Sequence, residues 1–452
     1  MKHKLILITL TVLSLQPLLA QQSKTLTLTL LNLQLLVAQQ SKTLTLKEAI
    51  DLSIANSKQL KLNEAKILEA SASIKEAEEK RLPEAGISGS YLYLPVRPGI
   101  DLKSGSSSNN GGPNVSQAFY GIASVSVPLF NSGKLRYGIE SAQYLQQALK
   151  LDADNDRTTV ILNTINACIN LFKAREAIAL VKENLEQSNQ RVKDLGDLEK
   201  NGLLARNDLL KAELQSSNIE LTLLDAESNY RLACVNMDLM IGLPENTEII
   251  PDRNGLAMPE SVKTIDEYEQ DALQNRNDIA AMAIRKKAAD LSIKTIKTDY
   301  YPSVAFTGGY VAADIPKFLS ITNAVNVGIG VKYNLASLWK TKTKLQGAEA
   351  RVKQIQVSQD ALGDNVRLQI NQAYQNYIVS RKKIEVLEKS VEQATENYRI
   401  TKNKFDNSLA TTTELLDADL ALLQSKLSVT NAKADSFLAY NKILYAAGLL
   451  KN

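Results

Sequence analysis

One short stretch occurs twice in this chain of 452 residues, and it fixes what the rest can fold into. Residues 201–214 read NGLLARNDLLKAEL and residues 407–420 read NSLATTTELLDADL. Asn201 answers Asn407, Leu203 answers Leu409, and Asp208 answers Glu414. Leu209-Leu210 answers Leu415-Leu416, Ala212 answers Ala418, and Leu214 answers Leu420. Each copy lies between two long helical patterns and is broken by Gly202 or Ser408. Asn207 or Thr413 is placed to cap the helix that follows, ahead of an acid in its first turn. Each copy reads as the tip of a long helical hairpin. Two such tips in one chain predict an internal duplication.

The flanking sequence carries the same duplication. ALQNRNDIAAMAIRKKAADLSIKTIKTDYYPSVAFTGGY at 272–310 matches 54–91, with Asn275 answering Asn56, Pro302 answering Pro83 and Tyr310 answering Tyr91. A helical pattern runs from Leu46 to Arg81 and stops at Pro83. A long one runs from about Lys134 to Lys200. There Ile178, Val181, Leu185, Ser188, Val192 and Leu195 step by three and four, a coiled-coil spacing. At 1.5 Å per residue this helix spans roughly 95–100 Å. A third runs from about Asp208 to Ile241 and closes with Gly242-Leu243-Pro244. The second half repeats the plan with helices from about Lys342 to Phe405 and from Thr413 to about Ala447. The organisation predicted is a first repeat over 39–244, a linker over 245–263 and a second repeat over 264–452.

Each repeat also carries two stretches of period two. Ile87, Gly89, Tyr91 and Tyr93 alternate with Gly86, Ser88 and Ser90. Phe119, Ala123, Val125, Val127 and Leu129 alternate with Ser124 and Ser126, and Pro128 lies near the end. Val304, Phe306, Gly308 and Tyr310 share a face in the third strand. In the fourth, Val325, Val327, Ile329, Val331, Tyr333 and Leu335 oppose Asn326, Gly328, Gly330, Lys332 and Asn334. One face is apolar and the other small and polar. Residues 97–114 read as a loop by composition, and 314–324 as a shorter one.

Composition narrows the functions. Lys+Arg 53 against Asp+Glu 49 is near balance, which gives no case for nucleic acid. The one histidine is His3, inside Lys2-His3-Lys4 and the apolar run LILITLTVLSLQPLLA, which reads as a secretory signal peptide. An 18-residue tandem duplication makes QQSKTLTL occur at 21–28 and at 39–46, so residues 1–38 form the signal region, with cleavage after Ala20 or Ala38. A mature chain without histidine lacks the commonest general base and zinc ligand. There is no GxxxxGK[ST] and no cofactor motif, so no enzyme, cofactor or metal is expected. Cys168 and Cys234 are equidistant from residue 201. They read as small packing residues or, in an oxidising compartment, as a disulfide across the hairpin.

Four strands per chain cannot close a wide barrel, and open edges cannot face lipid. The strands need partners from other copies of the chain. The small polar face suits a water-filled lumen, and the apolar face, with tyrosines towards its ends, suits lipid. A soluble sheet with one buried face also fits the alternation. A secreted periplasmic coiled-coil scaffold or adaptor without a pore is the alternative function.

The duplicated helix–strand–strand–long-helix–hairpin plan and the two tips resemble the TolC-like outer membrane efflux protein family. So do VPLFNSGKLRYGIESA at 127–142 and LMIGLPENTEI at 239–249. The resemblance covers essentially the whole mature chain. It implies a mixed α and β membrane protein. A homotrimer would form a 12-stranded β-barrel in the outer membrane that continues into a long periplasmic α-helical barrel. It implies a passive exit duct of a tripartite efflux or type I secretion system, with a periplasmic adaptor at the tips and an inner-membrane transporter behind it.

By the same resemblance, the aperture acids follow the second tip as Asp-x-x-Asp, and the matching positions are Glu414 and Asp417. Three copies would set six carboxylates around one axis, a cation-attracting constriction. Ordinary first-turn acids complementing a helix dipole are the alternative. The first tip offers Asp208 but has Lys211 at the second acidic place. The family's latch arginine falls at Ala410, so a different closing contact is needed. Gly202, Leu203, Leu204, Ser408, Leu409 and Ala410 are the candidate adaptor contacts. Leu203, Leu204 and Leu409 are expected to be exposed.

Overall fold

The computed structural model describes residues 41–95, 116–252, 261–316 and 319–451. The signal region, the loop 97–114 and part of the linker lie outside them. The first half contains β1 (Ser41–Leu44), α1 (Leu46–Asn56), α2 (Lys58–Glu79), β2 (Glu84–Tyr93), β3 (Gln117–Phe130), α3 (Lys134–Lys200) and α4 (Arg206–Ile241). After β4 (Glu248–Pro251) come α5 (Ile265–Asn275), α6 (Asn277–Lys297), β5 (Ser303–Ile315), β6 (Leu319–Lys332), α7 (Ser337–Asp406) and α8 (Thr412–Ala446). The α3 and α7 helices run for 67 and 70 residues, roughly 100 Å each.

Three differences from the sequence reading have local causes. The stretch 46–81 is two helices, because the Ser57 hydroxyl accepts from Leu60 N–H and starts a new helix. The stretch 245–263 contains β4, which pairs in parallel with β1 from Ser41↔Glu248 to Leu44↔Pro251. Four-residue strands are too short to show a period. The loop expected at 314–324 shrinks, since β5 and β6 together reach Ile315 and start again at Leu319.

The larger sheet is antiparallel in the order β2-β3-β5-β6. Its register separates two faces. Gly86, Ser124, Gly309 and Asn326 lie in one cross-strand row; Ile87, Ala123, Tyr310 and Val325 lie in the next, on the opposite face. Pro128 sits beside a register shift between Pro128 and Phe130, where the absent N–H is tolerated. Val325, Val327, Ile329 and Val331 are 68–72% exposed, so the apolar face has no cover within the chain. The β2 and β6 strands are the sheet edges. Among the described residues no helix is long and apolar enough to cross a membrane.

Each half is closed by the same device. The last turn of α4 ends at Gly242 (φ 78°), and the Asn56 amide at the α1–α2 break donates to the Ile241 carbonyl at 2.7 Å. The α8 helix ends ahead of Gly448 (φ 70°), and Arg276 at the α5–α6 break donates to the Ala446 carbonyl at 3.0 Å. A Cβ on Gly448 would stand 3.0 Å from the Arg276 nitrogen and the Asn275 carbonyl carbon, which are backbone and cannot swing away. Gly448→Ala is therefore expected to destabilise the folded chain by about 2 kcal/mol, from the left-handed φ and the contact together. The urea midpoint in detergent reads this; a wild-type midpoint would show that the α5–α6 break yields freely.

The core runs along the helices as separate clusters rather than one centre. Ile161, Ile165 and Ile169 of α3 meet Ile50, Phe437, Leu438 and Leu450. Further along, Val181, Ile219 and Leu423 join both hairpins. Val181, Ser188 and Leu195 are all buried at intervals of seven, as the coiled-coil spacing requires. Cys168 and Cys234 belong to one apolar cluster as free thiols; burial pushes Cys168 up to about 12 and raises Cys234 as well.

Candidate functional site: the hairpin tips

Both tips stop their first helix in the same way. Gly202 (φ 74°) donates to the Glu199 carbonyl and Leu203 to the Leu198 carbonyl, each at 2.9 Å. Ser408 (φ 59°) donates to the Phe405 carbonyl at 2.9 Å and Leu409 to the Lys404 carbonyl at 2.7 Å. This is the Schellman arrangement, in which one left-handed residue lets two N–H groups satisfy the last carbonyls. It leaves Leu203 and Leu409 at the apex, 74% and 76% exposed. Ala410 is half-buried. Leu204, expected to be exposed, is half-buried against the cluster of Leu195, Leu209, Ala212 and Leu416, where burial of its side chain closes the tip.

The expected caps are corrected. Ala205, not Asn207, precedes α4, with no side-chain cap. Thr411, not Thr413, caps α8 in a capping box. Glu414 N–H donates to the Thr411 hydroxyl at 3.2 Å, and the Glu414 carboxylate accepts from Thr411 N–H at 2.6 Å and from its hydroxyl at 2.9 Å. These hydrogen bonds hold the Glu414 carboxyl below its usual range, so it is ionised at neutral pH. Glu414 thus serves the cap while keeping its charge. Asp417, one turn on, is exposed and makes no such bond among the described residues.

Lys211 settles the charge of the first tip. Its ammonium lies 3.1 Å from Asp208 Oδ1 and donates to the Thr413 hydroxyl at 3.3 Å. Thr413 thus links the second tip to the first instead of capping a helix. Asp208 of the first tip is thus paired in place, whereas Glu414 and Asp417 of the second have no ion pair among the described residues.

A buried polar network sits just inside the tips and has no counterpart in the sequence reading. Arg191 Nη1 lies 3.0 Å from Asp419 Oδ2, Asn184 Nδ2 donates to the same oxygen at 3.2 Å, and Arg191 Nη2 donates to the Tyr398 hydroxyl at 3.1 Å. The Arg191 and Asp419 side chains are 10% and 3% exposed. Burial works against the arginine's charge, and the bonds to Asp419 and Tyr398 more than restore it. Arg191 and Asn184 belong to the first hairpin, Tyr398 and Asp419 to the second. One visible signal was the spacing Leu416, Asp419, Leu423, which puts a charge in an apolar seam.

A two-faced antiparallel sheet with open edges, continuous with two helices of about 100 Å that each turn back in a hairpin, defines a membrane channel protein with a helical extension. The sequence profile of the outer membrane efflux protein family matches residues 49–243 and again residues 269–449, and the chain belongs to that family. Its place is the outer membrane, with the helices extending into the periplasm. Nodulation protein T of Rhizobium leguminosarum bv. trifolii is 23% identical over 402 residues, 84% of this chain and 80% of that protein. Outer membrane efflux protein BepC of Brucella suis biovar 1 is 20% identical over 323 residues, 71% of this chain and 70% of that protein. Among solved structures, the outer membrane protein VceC from Vibrio cholerae shares the fold with a TM-score of 0.71 at 18% identity, covering 89% of this chain and 96% of that one.

Proposed function

We propose that three copies of this chain close a 12-stranded barrel and form the passive exit duct of a tripartite efflux or type I secretion system. The observation that carries this is the sheet: one face of exposed valine and isoleucine, one face of Gly, Ser and Asn, and two unpaired edges. Pairing β2 of one copy with β6 of the next removes every edge and turns the small polar face to a water-filled lumen. The internal duplication gives each chain two hairpins, and the two separate profile matches support it. An inner-membrane transporter would supply the energy, since the chain has no nucleotide motif. A pore-free scaffold would leave the apolar face without a role.

In this reading Leu203 and Leu409, the most exposed large apolar side chains of the two apices, are contacts for a periplasmic adaptor. Opening untwists the tips, driven by an adaptor that binds the separated hairpins better than the joined ones. The Arg191–Asp419 network is the contact that such separation must break. Glu414 and Asp417 from three copies would ring the aperture.

Planar-bilayer conductance of detergent-purified protein tests the pore and the ring together. Glutamine at position 414 keeps a capping-box partner for Thr411 while removing the charge. Glu414→Gln with Asp417→Asn is expected to cut cation over anion selectivity severalfold. Unchanged selectivity would keep the pore and dismiss the ring. Protein that stays soluble without detergent and never conducts would dismiss the pore.

A further inference from the structure

Where the strands give way to helices lies an open pocket of about 350 Å³. Lys134, Lys332, Lys340 and Lys344 line it with one acid, Asp299. Asp299 is fully engaged: Oδ1 accepts from Lys134 at 2.7 Å and Oδ2 from Lys344 at 3.3 Å. Lys332 and Lys340 have no ion pair among the described residues. The pocket therefore carries an excess of three positive charges per chain.

A second observation is independent of the charge. Thr341 lines the same pocket, is 1% exposed, and its buried Oγ1 has no hydrogen-bond partner among the described residues. Helical threonines elsewhere in this chain return the hydroxyl to the carbonyl four residues back, as Thr159, Thr164 and Thr295 do. Thr341 does not. A buried unpaired hydroxyl beside a surplus of ammonium groups is the signature of a site built for an oxyanion.

The sheet register says which side the pocket opens on. Lys332 is paired with Ser303, on the face of Gly330, Gly328 and Asn326 and opposite Val331 and Ile329. On the proposed pore, that face is the lumen, and lipid lies on the other. We infer that this pocket is a lumenal binding site for phosphate-type oxyanions, repeated three times around the channel axis, and that it favours cargo carrying phosphate or a similar polyanionic group. Lysines suit this task as point charges that accept a phosphate in many poses, which permits binding without trapping. The inference rests on the pore reading for its orientation.

Inorganic pyrophosphate is the probe, added to wild-type channels in bilayers of zwitterionic lipid. A concentration-dependent block of single-channel current is expected. In Lys332→Gln/Lys340→Gln the half-blocking concentration should rise at least tenfold. Lys332→Gln alone should give a smaller rise in the same direction if the double variant fails to assemble. Normal conductance without block, or block of equal strength in the lysine variants, overturns the site and leaves the pore standing. Loss of co-purifying phospholipid from the lysine variants with the block intact would make the pocket a headgroup site and overturn the inference. If no current is seen at all, the pore reading fails. Calorimetry of pyrophosphate binding to the detergent-solubilised protein then decides the pocket, upheld by binding that Lys332→Gln weakens and overturned by the absence of heat.

Discussion

Asp419→Ala is expected to be among the most damaging single substitutions near the tips, costing about 3–5 kcal/mol. The substitution leaves the Arg191 guanidinium buried between the hairpins, with Tyr398 as its remaining partner and Asn184 deprived of its acceptor. Removing both charges is different. Arg191→Met with Asp419→Leu gives the seam two apolar residues of similar volume, and such replacements of buried pairs are often neutral or better. The pair of variants separates two costs: Asp419→Ala reports an orphaned charge, and the double variant reports what the pair itself contributes. Urea unfolding in detergent measures stability, and bilayer conductance measures the tips. On the proposed function both variants widen the aperture, because neither retains the Arg191–Asp419 ion pair between hairpins, while only Asp419→Ala is strongly destabilised. An Asp419→Ala protein that unfolds with wild type to within about 0.5 kcal/mol would mean that water already reaches Arg191.

How much of this could be read from residues alone depended on whether the cause was local. The long helices announce themselves through Val181, Ser188 and Leu195, because a seam repeats its demand every seven residues. The strands do so through residues 325–335, where alternation runs unbroken. The tip geometry was equally legible, since Gly202 marks a left-handed residue by itself. The caps need one more local step. Thr411, Thr412 and Thr413 can all cap, and Glu414 three residues on selects Thr411 through the capping box. The Arg191–Asp419 network joins residues 228 apart, so only the misplaced charge at Asp419 hinted at it. The lysine pocket was still less visible. Alternation alone puts Lys332 on the polar face, but Lys134, Lys332 and Lys344 come from three elements, and only the fold brings them together.

Asp238→Asn is expected to stabilise the protein, and only above a definite pH. Asp238 lies on the last turn of α4, is wholly buried, and neither carboxylate oxygen has a hydrogen-bond partner of good geometry among the described residues. Burial pushes its pKa from 3.8 to about 6; the Thr247 backbone N–H offsets part of this, and the charge of Glu245 adds to it. The folded chain thus binds a proton that the unfolded chain releases more readily. Well below pH 3.8 both states hold that proton and the residue is neutral to stability. As pH rises from 3.8 to about 6 the unfolded state ionises first, so stability falls across that window and then stays lowered. The loss at neutral pH is of order 1–3 kcal/mol. Asparagine cannot ionise, so the variant should lack the fall and match wild type at the acid end. Unfolding midpoints taken between pH 4 and pH 8 read the difference, and parallel curves for the two proteins would show that water reaches the Asp238 carboxylate in the folded chain. The same window bears on the closing device of the first half, because the Gly242 N–H donates to the Asp238 carbonyl at 2.8 Å. A charge forced onto the buried side chain strains the turn that Asn56 must meet, so the α1–α2 break should exchange its amide hydrogens faster at pH 8 than at pH 5 beyond the intrinsic rate, and Asp238→Asn should abolish that excess.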